Sequence, residues 1–451
     1  MTDAPIIGKL LVANRAEIAV RIIRTASRLG IPTVAVYSEA DADLPHVALA
    51  DESYLIGPAA PSESYLDIDR ILAVAVESGA TAVHPGYGFL SESPAFARRL
   101  RDAGLIWVGP TPESMEQVAD KINARNLMQD AGVPTALGTR EPVASFAEAL
   151  EAAAGISYPL MVKPSGGGGG IGMVIVHSDD ELETAFDSAR SRAERFFGDS
   201  RILLERYIAS ARHVEVQILG LADGRVIALG ERDCSVQRRH QKVAEESPSP
   251  GVDPALRARM LASAVRAGEA VGYRNAGTVE CLLDTETLEF VFLEMNARLQ
   301  VEHPITEEVH GIDLVEAQLR IAAGLPVQFD PDEVETRGHA LELRIYAEDS
   351  KRFLPGPGLI SEWTVPHGVG VRLDAGYAAG NRVSVNYDPL MAKLVVTAPT
   401  RVEAIERAKA AVADFTIVGP KSNLAFFAEL LENDEFVGGR YDTGLVSRMR
   451  P

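Results

Sequence analysis

Polar and apolar residues alternate strictly between residues 294 and 302. The polar set combines two carboxylates, a guanidinium and two carboxamides, namely Glu294, Asn296, Arg298, Gln300 and Glu302. Because successive side chains of an extended strand point to opposite faces, this set would share one face at a spacing of about 6.6 Å. A solvated strand face is the ordinary alternative, but such a face more often carries Lys, Thr and Ser. The mixture therefore predicts a binding or catalytic site.

A predicted β-hairpin adds a further carboxylate to this set. The apolar runs 277–283 and 288–293 are joined by a polar turn around Glu286, so Glu280 lies opposite Glu294 to within a residue or two. Facing carboxylates destabilise a strand pair unless a cation lies between them. Carboxylate and amide oxygens suit Mg²⁺, which leaves room for phosphate oxygens. A metal site at Glu280, Glu294 and Asn296 is therefore one interpretation, and it depends on a source of phosphate nearby.

Five consecutive glycines, at residues 166–170, separate two apolar strands and predict a phosphate-binding hairpin. Successive N–H groups without side chains can form an anion-binding concavity. A flexible surface loop is the alternative, but Lys163 lies inside the preceding apolar strand and needs an anion as partner. A strand rather than a helix follows the glycines, and neither a Walker A string nor the kinase catalytic strings occur. The sequence thus predicts nucleotide phosphates under a glycine hairpin.

Composition limits the classes of partner and compartment. With 44 basic and 64 acidic residues the formal net charge is -20, which argues against nucleic acid or an anionic membrane. Two cysteines, Cys234 and Cys281, exclude a disulfide framework and fit a reducing cytoplasm, with Cys234 interpreted as a packing residue. A strand begins within the first ten residues, so we expect no leader peptide, and no apolar run has the length of a membrane helix.

A chain of 451 residues is too long for one core and predicts about three domains. Residues 1–120 repeat strand–helix units and predict a parallel, Rossmann-like α/β domain. Residues 121–206 contain the glycine hairpin and a charged helix at 179–197, which suits a small mobile lid. Residues 207–335 carry the strands of the candidate site, and residues 336–451 form a mixed region. The expected fold class is therefore α/β combined with α+β.

Five strings in this order resemble those of biotin carboxylase, the ATP-grasp component of the biotin-dependent acyl-CoA and pyruvate carboxylases. They occupy residues 12–19, 84–92, 166–170, 231–242 and 294–304. The resemblance extends from about residue 8 to about residue 445 and implies an ATP-grasp fold with a C-terminal mixed domain. The Ala-Met-Lys-Met string of biotin carrier domains is absent. The resemblance therefore implies a separate biotin carboxyl carrier protein, a carboxyltransferase subunit and a homodimer.

The resemblance also implies roles for individual residues. Glu280 and Glu294 match the family's metal-binding carboxylates, with Asn296 close by. The positions that match ATP-phosphate contacts are Lys121, Lys163, Gly168, Gly169 and Gly170. Those that match ribose and adenine contacts are Glu205, Arg206, Ile208, His213, Gln237, His240 and Leu282. The implied cofactors are ATP with Mg²⁺ or Mn²⁺, and biotin on the carrier is the carboxyl acceptor.

A second group matches the bicarbonate and biotin end of the family's site. It comprises Lys242, Arg298, Gln300, Val301, Glu302 and Arg344. Bicarbonate is a poor nucleophile, so Glu302 is expected to remove its proton while Lys242 and Arg298 hold the anion. Attack on the γ-phosphate would release ADP and give carboxyphosphate, whose CO₂ is transferred to biotin, and Arg344 matches the arginine that stabilises the biotin enolate.

Three departures from the family pattern leave other functions open. Ile171 stands where the family usually has Lys or Arg, which predicts weaker ATP binding, and Ala16 and Ala297 replace a glycine and a threonine. One alternative is an ATP-grasp ligase that activates a different carboxylate. The other is a weakly active paralogue retained as a structural subunit.

Overall fold

A computed structural model describes residues 7–164, 173–198 and 200–450. Gly168, Gly169, Gly170 and Ile171 lie outside these ranges, so what the sequence predicts for them stays a prediction. No helix in the described ranges is long and apolar enough to cross a membrane. Both cysteines are buried and free.

The N-terminal part is a five-stranded parallel sheet with the strand order β3-β2-β1-β4-β5. Its strands are β1 (Leu10–Val12), β2 (Thr33–Ser38), β3 (Glu52–Gly57), β4 (Ala82–His84) and β5 (Ile106–Trp107). Its helices are α1 (Ala16–Arg28), α2 (Pro45–Leu49), α3 (Ile68–Glu77), α4 (Pro94–Asp102) and α5 (Pro112–Ala119). The central strand β1 is fully buried, as expected for a parallel sheet covered by helices. The predicted parallel α/β arrangement is confirmed.

A smaller layer follows, built on a three-stranded antiparallel sheet with the order β7-β6-β8. Its elements are α6 (Lys121–Asp130), α7 (Phe146–Ile156), β6 (Leu160–Pro164), β7 (Val174–Val176), α8 (Asp179–Phe197) and β8 (Ile202–Arg206). Val162 pairs with Val174, so the strands on both sides of the glycines form the predicted hairpin. This sheet packs with α7 and α8 around a hydrophobic core of its own, which includes Val162, Phe186 and Leu204.

The site lies on a second, eight-stranded sheet with the order β13-β12-β9-β10-β11-β14-β19-β17. Its first strands are β9 (Ala211–Gly220), β10 (Val226–Arg238), β11 (Gln241–Ser247), β12 (Asn275–Asp284) and β13 (Phe290–Asn296). The accompanying helices are α9 (Pro254–Ala270), α10 (His303–His310) and α11 (Leu314–Ala322). All adjacent strands in this sheet are antiparallel.

The C-terminal part completes the same sheet and adds two short ones. Its strands are β14 (His339–Tyr346), β15 (Gly358–Leu359), β16 (Glu362–Thr364), β17 (Val371–Ala375), β18 (Arg382–Val383), β19 (Leu390–Ala398) and β20 (Thr416–Val418). Its helices are α12 (Arg401–Asp414), α13 (Leu424–Leu430), α14 (Asp434–Val437) and α15 (Leu445–Met449). Strands β15 and β18 form one pair, and β16 and β20 form the other. The large C-terminal core packs against β14 and β19, so the sheet joins the two halves of the chain.

The strand predicted over residues 294–302 is wrong beyond Asn296. Strand β13 ends there, residues 297–301 bend, and Glu302 begins α10 as its N-cap residue. Pro304 lies in the first turn of that helix, where a proline's fixed φ and missing N–H are tolerated. The bend therefore replaces the extended chain that the alternation suggested.

Candidate active site

Three carboxylates lie side by side across three strands of the large sheet. Glu280 on β12 is paired directly with Glu294 on β13 and, on its other side, with Glu215 on β9. Burial and the facing Glu280 raise the pKa of Glu294. For Glu280, burial acts in the same direction but is outweighed by Lys242 and His213, which hold its pKa well below its ordinary value. The predicted hairpin register is confirmed.

Lys242, on β11, is the cation at the centre of this group. Its ammonium donates to Glu215 Oε2 at 2.5 Å, Glu280 Oε1 at 2.8 Å and Glu302 Oε1 at 2.7 Å. Burial opposes the charged form of Lys242, but Cys234 and the three glutamates raise its pKa well above its usual range. Lys242 therefore remains a cation at neutral pH.

Glu302 is held from its other side by Arg344. The Arg344 guanidinium lies 2.9 Å from Glu302 Oε2 and 2.5 Å from Glu245 Oε1. Burial favours the protonated form of Glu302, but Lys242, Arg344 and Arg232 outweigh it and hold the pKa well below its ordinary value. Glu302, which is 0% exposed, is accordingly an ionised carboxylate between two cations.

The bend after Asn296 still brings the predicted polar side chains together. Arg298 donates to Asn296 Oδ1 at 2.9 Å, to Gln300 Oε1 at 2.7 Å and to Glu92 Oε2 at 3.0 Å. Gln300 in turn donates to Glu280 Oε1 at 3.3 Å. Because Glu92 follows β4 of the N-terminal sheet, the bend is fixed partly by a distant part of the chain.

The residues expected to contact the nucleotide are distributed over two sheets. Lys163 on β6 forms an ion pair with Glu205 on β8. Lys121 begins α6, and although the nearby Glu294 acts in the opposite direction, burial lowers its pKa. These lysines therefore approach the carboxylate group from the smaller layer.

On the large sheet, His213 connects the nucleotide side with the carboxylates. Its Nε2 lies 2.9 Å from Glu280 Oε2, and its Nδ1 lies 2.7 Å from Gln237 Nε2. Leu282 is its direct strand partner. Of the other expected residues, Arg206 lies at the exposed end of β8, Ile208 is half-buried beyond it, and His240 lies in the exposed turn before β11.

Comparison with known proteins identifies the family. Residues 6–115 match the N-terminal domain of biotin carboxylase, residues 120–329 match the ATP binding domain of the carbamoyl-phosphate synthase L chain, and residues 342–448 match the biotin carboxylase C-terminal domain. The chain is 50% identical over 439 residues to biotin carboxylase of Halalkalibacterium halodurans, covering 97% of each. The chain belongs to the biotin carboxylase family. Its members are ATP-dependent ligases, and the chain has their ATP-grasp fold.

Other relatives and solved structures agree with this assignment. Biotin carboxylase 2 of Bacillus subtilis is 48% identical over 98% of this chain and 99% of its own. A crystal structure of Campylobacter jejuni biotin carboxylase with β,γ-ATP superposes with a TM-score of 0.95 at 43% identity, covering 98% and 99% of the two chains. The biotin carboxylase domain dimer of Hydrogenobacter thermophilus 2-oxoglutarate carboxylase, solved with MgADP, ADP and bicarbonate, gives 0.93 at 40% identity, covering 98% and 97%.

The carboxylates of the candidate site in this chain fit a divalent cation. The direct pairing of Glu280 with Glu294, and the raised pKa of Glu294, show a repulsion that a cation between them would relieve. Glu280 also forms a group with His213 and Glu215, whose potential ligand atoms lie within 4.8 Å of one another. Lys242 pairs with Glu215 and Glu280 of that group, whereas the pKa of Glu294 stays raised, so a cation beside Glu294 would relieve the most repulsion.

Several buried charges of the site were missed in the sequence. Glu215 accepts from Lys242 and from Arg232, which is itself 0% exposed and also donates to Gln217 at 2.8 Å. The sequence did contain a signal for Glu215. His213, Glu215 and Gln217 alternate with valines, just as the polar residues from Glu294 onward alternate with apolar ones. Glu245, which follows the string that ends at Lys242, was also missed. In the structure, burial raises the pKa of Glu245 to about 7, although Arg344 acts in the opposite direction.

Ala16 occupies a backbone conformation that favours glycine. Its φ is 54°, in the left-handed region, where the glycine that the resemblance implies would be less strained than alanine. Ala297 lies in the bend, where its N–H donates to Glu92 Oε1 at 3.1 Å. Residue 297 contributes only its backbone N–H to this bond, so the replacement of a threonine by Ala297 leaves the bond intact.

Proposed function

We propose that the protein uses ATP and bicarbonate to carboxylate biotin on a separate carrier protein. The observation that carries this proposal is the position of Glu302, a fully buried carboxylate 2.7 Å from Lys242 and 2.9 Å from Arg344. A base that must act on an anionic substrate needs cations beside it to hold that substrate.

Proton transfer depends on how the two cations are shared. While Lys242 and Arg344 pair with Glu302, its pKa is low and it is a weak base. Bicarbonate bound to Lys242 and Arg298 draws one of these charges away, so the proton affinity of Glu302 rises as the substrate enters. Glu302 then accepts the bicarbonate proton, and the resulting anion attacks the γ-phosphate, which releases ADP and gives carboxyphosphate.

The other residues act on charge and orientation. Mg²⁺ held by Glu280, Glu294 and Asn296 would supply charge neutralisation on the ATP phosphates. Lys121 and Lys163 are placed to neutralise further phosphate charge. When CO₂ and phosphate form, the phosphate takes the ureido proton of biotin, and Arg344 stabilises the biotin enolate that attacks CO₂.

The test is bicarbonate-dependent ATP hydrolysis, measured with and without free biotin. We expect biotin to increase the rate and carboxybiotin to accumulate. Bicarbonate-dependent turnover that ignores biotin would favour a ligase for another carboxylate. Absence of turnover, with the protein folded and ATP bound, would favour a structural paralogue.

The proposal also covers the oligomeric state, the cellular location and the domain borders of the protein. We infer a cytoplasmic homodimer that works with a biotin carboxyl carrier protein and a carboxyltransferase subunit of an acyl-CoA carboxylase type. The biotin carboxylase domain of the Hydrogenobacter relative forms a dimer, which supports the homodimer. We also propose the four-part division of the chain at residues 120, 206 and 335, with the part around the glycine hairpin acting as a mobile lid.

A further inference from the structure

Lys393 is a fully buried cation whose side chain contacts the backbone of the candidate active site. It lies on β19 with 0% exposure, and its ammonium donates to the Val301 carbonyl oxygen at 2.9 Å. The same ammonium forms an ion pair with Glu17 on α1 at 3.1 Å and lies 5.7 Å from the centre of the Tyr87 ring. One side chain thus connects β19, the N-terminal part and the residue immediately before Glu302.

The sheet places Lys393 beside the arginine that holds Glu302. Lys393 is the direct partner of Arg344 across β14 and β19, so the two side chains leave the same face at the same level. Arg344 contacts the carboxylate of Glu302, whereas Lys393 contacts the peptide carbonyl that precedes it. Glu302 is therefore fixed at both its side chain and its backbone.

The bend between residues 297 and 301 makes this backbone contact important. The bend lies between β13 and α10, so its carbonyl groups lack the partners that a sheet or helix interior supplies. A neutral donor could satisfy the Val301 carbonyl. A buried lysine, unlike a neutral donor, also needs a counter-ion. The resulting buried ion pair adds little net stability compared with apolar packing, so stability alone does not explain a lysine here. Its position beside the site therefore points to a function in the geometry of the bend.

We propose that Lys393 and Glu17 are positioning residues, which fix the Val301–Glu302 peptide so that the Glu302 carboxylate stays between Lys242 and Arg344. The proposal rests on the function proposed for Glu302 as the base. It assigns no contact with substrate to either residue. The Glu17 carboxyl group holds the ammonium, the ammonium holds the carbonyl, and the carbonyl sets the direction of the next side chain.

The primary variant is Lys393→Met, which keeps the unbranched side chain and removes the donor and the charge. A displacement of about 1 Å at a reacting group can reduce turnover by about 10²-fold. We expect kcat to fall by at least about 10-fold and the KM for bicarbonate to rise. The KM for ATP should stay within about twofold, because Lys121 and Lys163 belong to other elements.

Two further variants separate positioning from stability. Glu17→Gln keeps an acceptor for Lys393 and should retain the fold with a milder loss of turnover than Glu17→Ala. Arg401→Met is the matched control, because it breaks the buried pair of Arg401 with Glu246, 2.6 Å apart and away from the bend. It should lower the Tm and leave the KM for bicarbonate unchanged.

Two outcomes would overturn the proposal. One is that Lys393→Met and Glu17→Ala reduce kcat only as Arg401→Met does, with an unchanged KM for bicarbonate. The other is a crystal structure of Lys393→Met, or of Glu17→Ala if that variant alone folds, in which Glu302 still contacts both Lys242 and Arg344. The crystal structure does not depend on activity. If the unaltered protein shows no bicarbonate-dependent ATP hydrolysis, the proposed function fails separately.

Discussion

Glu302→Gln removes one charge from the centre of the site while keeping the shape of the side chain. Lys242 retains Glu215 and Glu280 as partners, and Arg344 retains Glu245. The variant weakens two charge-assisted hydrogen bonds of about 1.5–3 kcal/mol each. It also removes the cost of several kcal/mol for keeping a buried carboxylate ionised. We therefore expect a change in the free energy of unfolding of about 0–3 kcal/mol.

Turnover should respond far more strongly than stability. A general base contributes about 10²–10⁴-fold, which corresponds to about 3–5 kcal/mol of activation free energy. The assay is bicarbonate-dependent ATP hydrolysis with biotin, together with ATP titration and thermal melting of the same samples. The control is Glu246→Gln, another buried carboxylate, which pairs with Arg401 and His339 instead. If Glu302→Gln retains more than about a tenth of the normal turnover, our argument for Glu302 as the base is refuted.

Three further predictions concern other parts of the structure. Glu280→Gln should raise the Mg²⁺ concentration needed for half-maximal turnover, and an unchanged Mg²⁺ titration would remove Glu280 from the metal site. Ala16→Gly relieves about 1–2 kcal/mol of left-handed strain. It also adds about 0.5–1 kcal/mol to the backbone-entropy cost of folding and loses a buried methyl group worth about 0.8 kcal/mol. These effects oppose each other, so the Tm of Ala16→Gly should stay nearly constant. Ala19→Gly in the same helix has no strain to relieve and should cost about 2 kcal/mol; equal melting shifts would contradict this account. Although burial opposes ionisation, His339 and Arg401 lower the pKa of Glu246 to about 2 from an ordinary 4.5, so its contribution is present above pH 4.5 and is lost as the pH falls towards 2. Acid unfolding of Glu246→Gln should be less steep over that range, and an identical pH profile would contradict the shift.

The features that were predicted correctly depend on short stretches of chain. The pairing of Glu280 with Glu294 followed from two apolar runs and one turn, and the charged helix Asp179–Phe197 followed from its own periodicity. The family strings added the order of the parts. These signals are local, so no knowledge of the sheet order was needed.

The features that were missed depend on contacts between distant residues. The strand was extended past Asn296 because alternation alone cannot show that Glu92 and the first turn of α10 bend the chain. Glu215 was overlooked despite its alternation with valines, because only the sheet order places β9 beside β12 and Glu215 opposite Glu280. The contact of Lys393 with Val301 requires β14 and β19 to be neighbours, which their separation in sequence does not indicate.

The eight-stranded sheet crosses the border proposed at residue 335. Strand β11 pairs with β14 from Ala244–Leu343 to Ser247–Ala340, on opposite sides of that border. A fragment that ended at residue 335 would expose β11 as an open edge, with unpaired N–H and C=O groups that favour aggregation. It would also leave Glu302 without Arg344. A hybrid that took its C-terminal part from a relative would therefore receive the residue at position 344 and the edge of β14 together, and its activity would depend on how well that β14 pairs with β11.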